Sequence, residues 1–216
     1  MDENKDMEIR DISRIFEEAV KAEKCAAESN ADPSLRHCGE SACDCGKTCA
    51  SDIAYPALDG IGEDPAALKL ISPAYAGNEG ELTAVLQYIY QHILFDHAGC
   101  KDYADILLKV AITEMKHLEI LGSLILRLGA APVYSYLPPY PINYYSAHAV
   151  SYSKVPQKMI LDDIEAEQCA IDTYTKMLCR LKNERVAAVI QRIRMDEEMH
   201  LATFKCILKE MTASEN

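Results

Sequence analysis

Residues 112–118 read ITEMKHL and residues 194–201 read RMDEEMHL, and each stretch holds a Glu followed three positions later by a His, Glu114 with His117 and Glu197 with His200. Three residues is close to one helical turn, so in a helix each pair shares a face and points the same way. Two such turns brought face to face can grip a common ligand. One pair alone is more often incidental, so the surroundings of the two turns decide the reading.

Those surroundings are helical in pattern. Glu79–His97, Asp102–Leu128, Pro156–Leu181 and Glu184–Met211 carry apolar residues at helical spacing, and no stretch of strand periodicity competes with them. Short links join the first segment to the second and the third to the fourth, which predicts two antiparallel hairpins. The long stretch Gly129–Val155, rich in Pro and Tyr, then crosses between them. The expected fold is all-α, a four-helix bundle with one long crossover over residues 76–212.

Two further parts precede the bundle. Within residues 1–30, Ile9, Ile12, Ile15, Phe16 and Val20 recur between charges as in an amphipathic helix. Residues 31–75 form a Cys-rich linker in which Pro33, Pro56, Pro65 and Pro73 alternate with Gly39, Gly46, Gly60 and Gly62. It reads as a connection rather than as core, with one short helix around Pro65–Ile71.

The two hairpins repeat each other. Glu81-Leu-Thr-Ala84-Val-Leu-Gln-Tyr88 and Glu167-Gln-Cys-Ala170-Ile-Asp-Thr-Tyr174 share a Glu, an Ala three later and a Tyr seven later. The Glu-x-x-His turn follows at similar distances, from Glu81 to Glu114 and from Glu167 to Glu197. Four helices thus offer one Glu each and two of them add His117 and His200, which is the ligand set of a carboxylate-bridged di-metal site. Glu114 and Glu197 are expected to bridge the metals, with Glu81 and Glu167 as terminal ligands. Without cations, four clustered carboxylates in a bundle interior would repel one another and lose their hydration, so some would take up protons. Oxygen and imidazole donors suit two Fe or two Mn ions. Tyr88 and Tyr174 lie close to the same helix face as the terminal Glu residues and are expected either to hydrogen-bond a ligand carboxylate or to serve as core tyrosines.

Composition narrows the partners. A net charge of −12 with no long Lys/Arg run argues against nucleic acid and against an anionic membrane surface, and favours a cationic ligand. The start MDENKDMEIR is not a secretory leader and no window approaches a membrane span, so a cytoplasmic protein is expected. Nine Cys, an odd number, fit reduced thiols better than a disulfide framework.

On these residues the stretch from Tyr75 to Met211 resembles the ferritin-like superfamily, most closely bacterioferritin, with rubrerythrin and manganese catalase as relatives. Glu114-Met115-Lys116-His117 looks like the bacterioferritin second-helix motif and Asp196-Glu197-Glu198-Met199-His200 like its fourth-helix counterpart, with Glu81 and Glu167 matching the remaining ligands. The resemblance implies that these six residues bind two irons, that Fe²⁺ and O₂ or peroxide are the reactants, and that the chain forms a homo-oligomer, a dimer or larger. Peroxide removal, by a rubrerythrin-like peroxidase or a dimanganese catalase, is the alternative; a structural or cargo protein with a relic site is a third reading. One departure stands out: bacterioferritin has Asp before the second-helix Glu, where this chain has Thr113, while Asp196 is kept in the other half. Met115 occupies the position of the haem-ligating methionine, which implies haem at a dimer interface unless it simply packs at a helix contact. Cys38, Cys43, Cys45 and Cys49 follow no common knuckle or ferredoxin spacing, so a metal or iron–sulfur centre stands there beside a loop of reactive thiols.

Overall fold

The computed structural model describes residues 49–138 and 143–213. The expected N-terminal helix and Cys38, Cys43 and Cys45 lie outside the described residues. Five helices follow in order: α1 (Pro65–Ala76), α2 (Glu81–His97), α3 (Lys101–Arg127), α4 (Pro156–Leu178) and α5 (Glu184–Ala213), with a 3₁₀ turn at Ala147–Ala149 in the crossover. No strand occurs among the described residues, only an isolated bridge between Ser135 and Tyr144. No described helix is long and apolar enough to cross a membrane.

The bundle is built as two hairpins, α2 with α3 and α4 with α5, and these pairs make the most extensive helix contacts. The α2–α3 reversal needs only three residues. Gly99 takes φ +83, open to glycine at little cost, and lets the Cys100 N–H return to the Phe95 carbonyl at 2.9 Å to close the helix end. At 1.5 Å per residue, α3 and α5 run for roughly 40 and 45 Å. Between them Leu121, Leu124, Ile125, Val186, Val189, Ile190 and Ile193 are fully buried.

The segment before the bundle differs from the expected connection. α1 extends beyond Ile71 to Ala76 and belongs to the core: Ile71 is fully buried, and Ala67, Ala74, Tyr75 and Ala76 are nearly so. Its start is well specified, with Pro65 at the first turn and Asp64 accepting from the Ala66 and Ala67 N–H groups at 3.1 and 3.0 Å. Pro73 marks a break in the sequence pattern but sits late enough that only the last turn must accommodate it. The thiols also depart from expectation. Cys49, Cys169 and Cys179 are free, whereas Cys100 and Cys206 are each disulfide-bonded. Residue counts say nothing about which sulfurs folding brings together.

Candidate metal centre

Glu114 and His117 project from the middle of α3, and Glu197 and His200 from the middle of α5, each pair one turn apart. Glu167 lies midway along α4. Glu81 is the exception to a mid-helix placement: it is the first residue of α2. Gly80 before it allows this, since a Cβ there would lie 2.6 Å from the Ala74 carbonyl oxygen; the start of α2 is thus set against the end of α1.

All six side chains are buried, between 0 and 5% exposed, and they converge. Glu81, Glu114, His117 and Glu197 form one set, and Glu114, Glu167, Glu197 and His200 a second; in each, the candidate donor atoms lie within 4.8 Å of one another. The two sets share Glu114 and Glu197, and the shared carboxylates are split between them. Glu114 presents Oε2 to His117 Nδ1 at 3.0 Å and Oε1 to His200 Nδ1 at 2.8 Å. Glu197 presents Oε1 to His117 Nδ1 at 3.1 Å and Oε2 to His200 Nδ1 at 3.2 Å. Glu81 faces only His117, at 3.8 Å, and Glu167 only His200, at 3.6 Å. Two carboxylates therefore span the sets and two terminate them.

The protonation balance shows what the cluster lacks. Burial pushes the Glu81 and Glu167 carboxyls well above the usual carboxylate range; the charges of Glu114 and Glu197 add to this for Glu81, and that of Glu197 for Glu167. Burial opposes charged imidazoles, yet Glu197 and Glu114 around His117, and Glu114 and Glu167 around His200, hold both rings well above their ordinary value. Burial likewise opposes an ionised Glu114, but His200 and His117 hold it well below. Protons thus stand in for positive charge. Glu114 Oε1 and Glu197 Oε1 nevertheless have no well-directed hydrogen bond, although they are buried. Two divalent cations would balance four carboxylates and give these oxygens partners, so the residues present fit a metal pair.

The supporting side chains cross between hairpins. Tyr88 of α2 donates its hydroxyl to Glu167 Oε1 on α4 at 2.5 Å, and Tyr174 of α4 donates to Glu81 Oε1 on α2. Each tyrosine steadies the terminal Glu of the opposite half. His92, also on α2, is held elsewhere, its Nδ1 2.8 Å from the Ala104 carbonyl. Met115 is 43% exposed on the outer side of α3. Cys49 is a buried free thiol that contributes to the centre through its backbone rather than its sulfur.

Residues 49–55 form a strap over the outer side of both histidines, and no residue pattern marks it. The Cys49 carbonyl accepts from His200 Nε2 at 2.7 Å. Asp196 Oδ2 accepts from His117 Nε2 at 3.0 Å and from the Tyr55 hydroxyl at 2.6 Å, and its Oδ1 accepts from the Ser51 N–H at 2.7 Å. Arg192, buried one turn before Asp196, pairs with Oδ2 at 2.6 Å and donates to the Ser51 and Ile53 carbonyls at 2.8 and 2.6 Å. Its guanidinium also stacks 4.2 Å from the Tyr55 ring centre. These donors outweigh the burial of Asp196 and hold its carboxyl well below its usual range. Burial pushes the Tyr55 phenol up to about 12, so it stays a donor. In the sequence only α5 signals this: Asp196 stands directly before Glu197, where the resemblance implies support of a ligand histidine, and Arg192 lies at i,i+4 spacing from it.

A cavity of about 350 Å³ opens between α2 and α4 and reaches Glu81, Glu114, Glu167 and Glu197 from outside. Glu79, Glu165 and Cys169 line its outer part, and the Cys169 thiol donates to Glu79 Oε2 at 3.2 Å. Small reactants therefore have a direct way to the carboxylates.

The family described as ferritin-like domain matches residues 79–213. Among solved structures, a manganese catalase from Anabaena PCC7120 is similar over 75% of this chain and 80% of its own, at 22% identity and a TM-score of 0.63. The bacterioferritin of Desulfovibrio desulfuricans is similar over 68% of this chain and 80% of its own, at 24% identity and a TM-score of 0.57. Mycobacterium tuberculosis bacterioferritin BfrA is similar over 70% and 89%, at 22% identity and a TM-score of 0.58. At these identities the likeness establishes the fold. No curated protein matches the chain.

Proposed function

The chain belongs to the ferritin-like domain family, and from that premise we propose that it binds a pair of iron ions at the bundle centre and oxidises Fe²⁺ with O₂ or peroxide. The observation that supports this most directly is the split presentation of Glu114 and Glu197, each offering one oxygen to either set of donors. Salt-bridge packing has no need of that pattern; two cations held side by side do.

In this reading Glu114 and Glu197 would serve both metal positions, Glu81 with His117 would complete one and Glu167 with His200 the other, each imidazole through Nδ1. Two Fe²⁺ ions, as substrate, give up one electron each. With peroxide and two protons the products are two Fe³⁺ and two waters; with O₂ and two protons, two Fe³⁺ and one hydrogen peroxide. Tyr88 and Tyr174 keep the terminal carboxylates oriented through their hydrogen bonds. The cavity between α2 and α4 admits the reactants, and Glu79 and Glu165 along it favour a cation.

The test is iron loading of the purified chain followed by addition of peroxide or O₂, reading the absorption of oxidised di-iron and the metal content. Two irons per chain and a rapid rise in absorption are expected. Glu81→Ala should lose one metal position and most of the rate while the bundle stays folded, whereas Glu198→Ala, at an exposed neighbour of Glu197, should change neither. An inert iron form beside a manganese form that disproportionates peroxide would replace this reading by a catalase.

A further inference from the structure

The interior of the centre is nearly two-fold symmetric, but its two imidazoles are backed by acceptors of different charge. His117 Nε2 faces the Asp196 carboxylate at 3.0 Å, whereas His200 Nε2 faces the neutral Cys49 carbonyl at 2.7 Å. Asp196 immediately precedes Glu197. Its counterpart before Glu114 is Thr113, whose hydroxyl lies 3.5 Å from that same Cys49 carbonyl. Where one half of the duplication places a carboxylate behind the opposite histidine, the other half places a hydroxyl, and the backbone of the strap fills the gap.

Both acceptors fix the same tautomer. A carbonyl can only accept, so His200 keeps a proton on Nε2, and beside a metal it would turn the Nδ1 lone pair inward. Asp196 is equally committed: Ser51 and Tyr55 donate to it and Arg192 pairs with it, so the carboxylate stays an acceptor and His117 Nε2 must donate. Orientation is thus matched and charge is the difference that remains. A hydrogen bond to an ionised acceptor is roughly twice as strong as a neutral one, and a carboxylate behind a ligating histidine raises the basicity of the inward nitrogen. Arg192 shares the charge of Asp196 and moderates the effect without reversing it, because the carboxylate remains the direct partner of the ring.

Resting on the metal-pair reading above, we propose that Asp196 and the Cys49 carbonyl make the two metal positions unequal, the position at Glu81 and His117 holding a divalent cation more tightly than the position at Glu167 and His200. Asp196 acts here as a positioning residue and Thr113 marks the weaker half. A chain of this kind fills in order and passes through a defined half-loaded state.

Stepwise titration of the metal-stripped full chain with Co²⁺, followed by calorimetry and visible absorption, tests this. Repulsion between two cations yields two steps even in a symmetric site, so the variants carry the decision. Asp196→Asn should weaken the tighter step by roughly 10–100-fold and leave the weaker one in place. Thr113→Asp, a change of similar size beside His200, should strengthen the weaker step alone, and it carries the test if the first variant fails to fold. Either variant moving both steps equally, or Thr113→Asp leaving the weaker step where it was, overturns the inference while the metal pair stands. A parent chain that binds no Co²⁺, Mn²⁺ or Fe²⁺ overturns the metal pair and this inference together.

Discussion

The interior of the bundle and the strap at residues 49–55 both govern the same two histidines, by opposite means. Inside, every contact to His117 and His200 comes from a side chain on a regular helix: Glu81, Glu114, Glu167 and Glu197. Outside, the strap acts largely through backbone groups, the Cys49, Ser51 and Ile53 carbonyls and the Ser51 N–H, with Tyr55 as its one side chain in the network. The helical half depends on residue identity at fixed spacing. The strap depends on where a non-repetitive stretch of chain is held, and Arg192 and Asp196 on α5 do the holding. One region can therefore be read from letters and the other only from coordinates.

Removing Arg192 should break the comparison most severely. Its side chain is 4% exposed and joins Asp196 to two strap carbonyls, so Arg192→Leu leaves Asp196 without its counter-charge and two carbonyls without a donor. Removing one partner of a buried pair costs about 3–5 kcal/mol, which at about 2–4 °C per kcal/mol lowers the melting temperature by roughly 10 °C. Limited proteolysis should then cut near residues 49–55 before it cuts the helices. A variant that melts like the parent and shows no new cleavage would mean that the strap is held by something other than Arg192.

What the sequence disclosed follows the same division. The four bundle helices were legible because apolar residues recur at 3.6-residue spacing over long stretches, and their bounds move by three residues or fewer from those expected. The cluster was legible because the duplication supplied every carboxylate and imidazole twice. α2 starts two residues later than the pattern predicts because Glu79 and Gly80 extend the polar pattern without entering the helix. α1 reads as a linker in the sequence because its prolines and neighbouring glycines outweigh a short apolar run whose partners lie far along the chain. The strap had no local signature at all, since a carbonyl acceptor belongs to every residue.

Truncating Ile71 sharpens the point about α1. It is fully buried against the cluster that includes Leu121, Leu124, Ile125 and Ile190, so Ile71→Ala should destabilise by about 2–5 kcal/mol, as cavities in closed cores do. Chemical denaturation should show a lowered midpoint with the slope unchanged. A loss under about 0.5 kcal/mol is what a loosely attached linker would give, and would return residues 65–76 to that role.

The smallest expected effect concerns a second departure from symmetry, this time inside the bundle. Asp163 on α4 is fully buried one turn before Glu167, whereas the position four residues before Glu81 is Gly77. Gln87 and Gln91 of α2 both donate to its Oδ1 at 2.8 Å, while Asp163 Oδ2 and Gln91 Oε1 have no partner. Burial raises this carboxyl to about 8 against the hydrogen bonds of the two glutamines, with the charge of Asp162 adding to the rise. A proton on Oδ2 turns it into a donor for an acceptor such as Gln91 Oε1. The folded chain therefore binds a proton that the unfolded chain releases near pH 3.9, so this contribution is complete below that pH and is lost as pH rises towards 8. Asp163→Asn offers an amide N–H in the same place at every pH. Relative to the parent, the metal-free variant should gain stability between pH 5 and 8, by up to about 1.4 kcal/mol per pH unit, and level off above that range. The other carboxylates titrate in both proteins, so the difference between the two stability curves isolates residue 163. A difference that stays flat across that range would mean that Asp163 is ionised throughout, with its second oxygen satisfied in some other way.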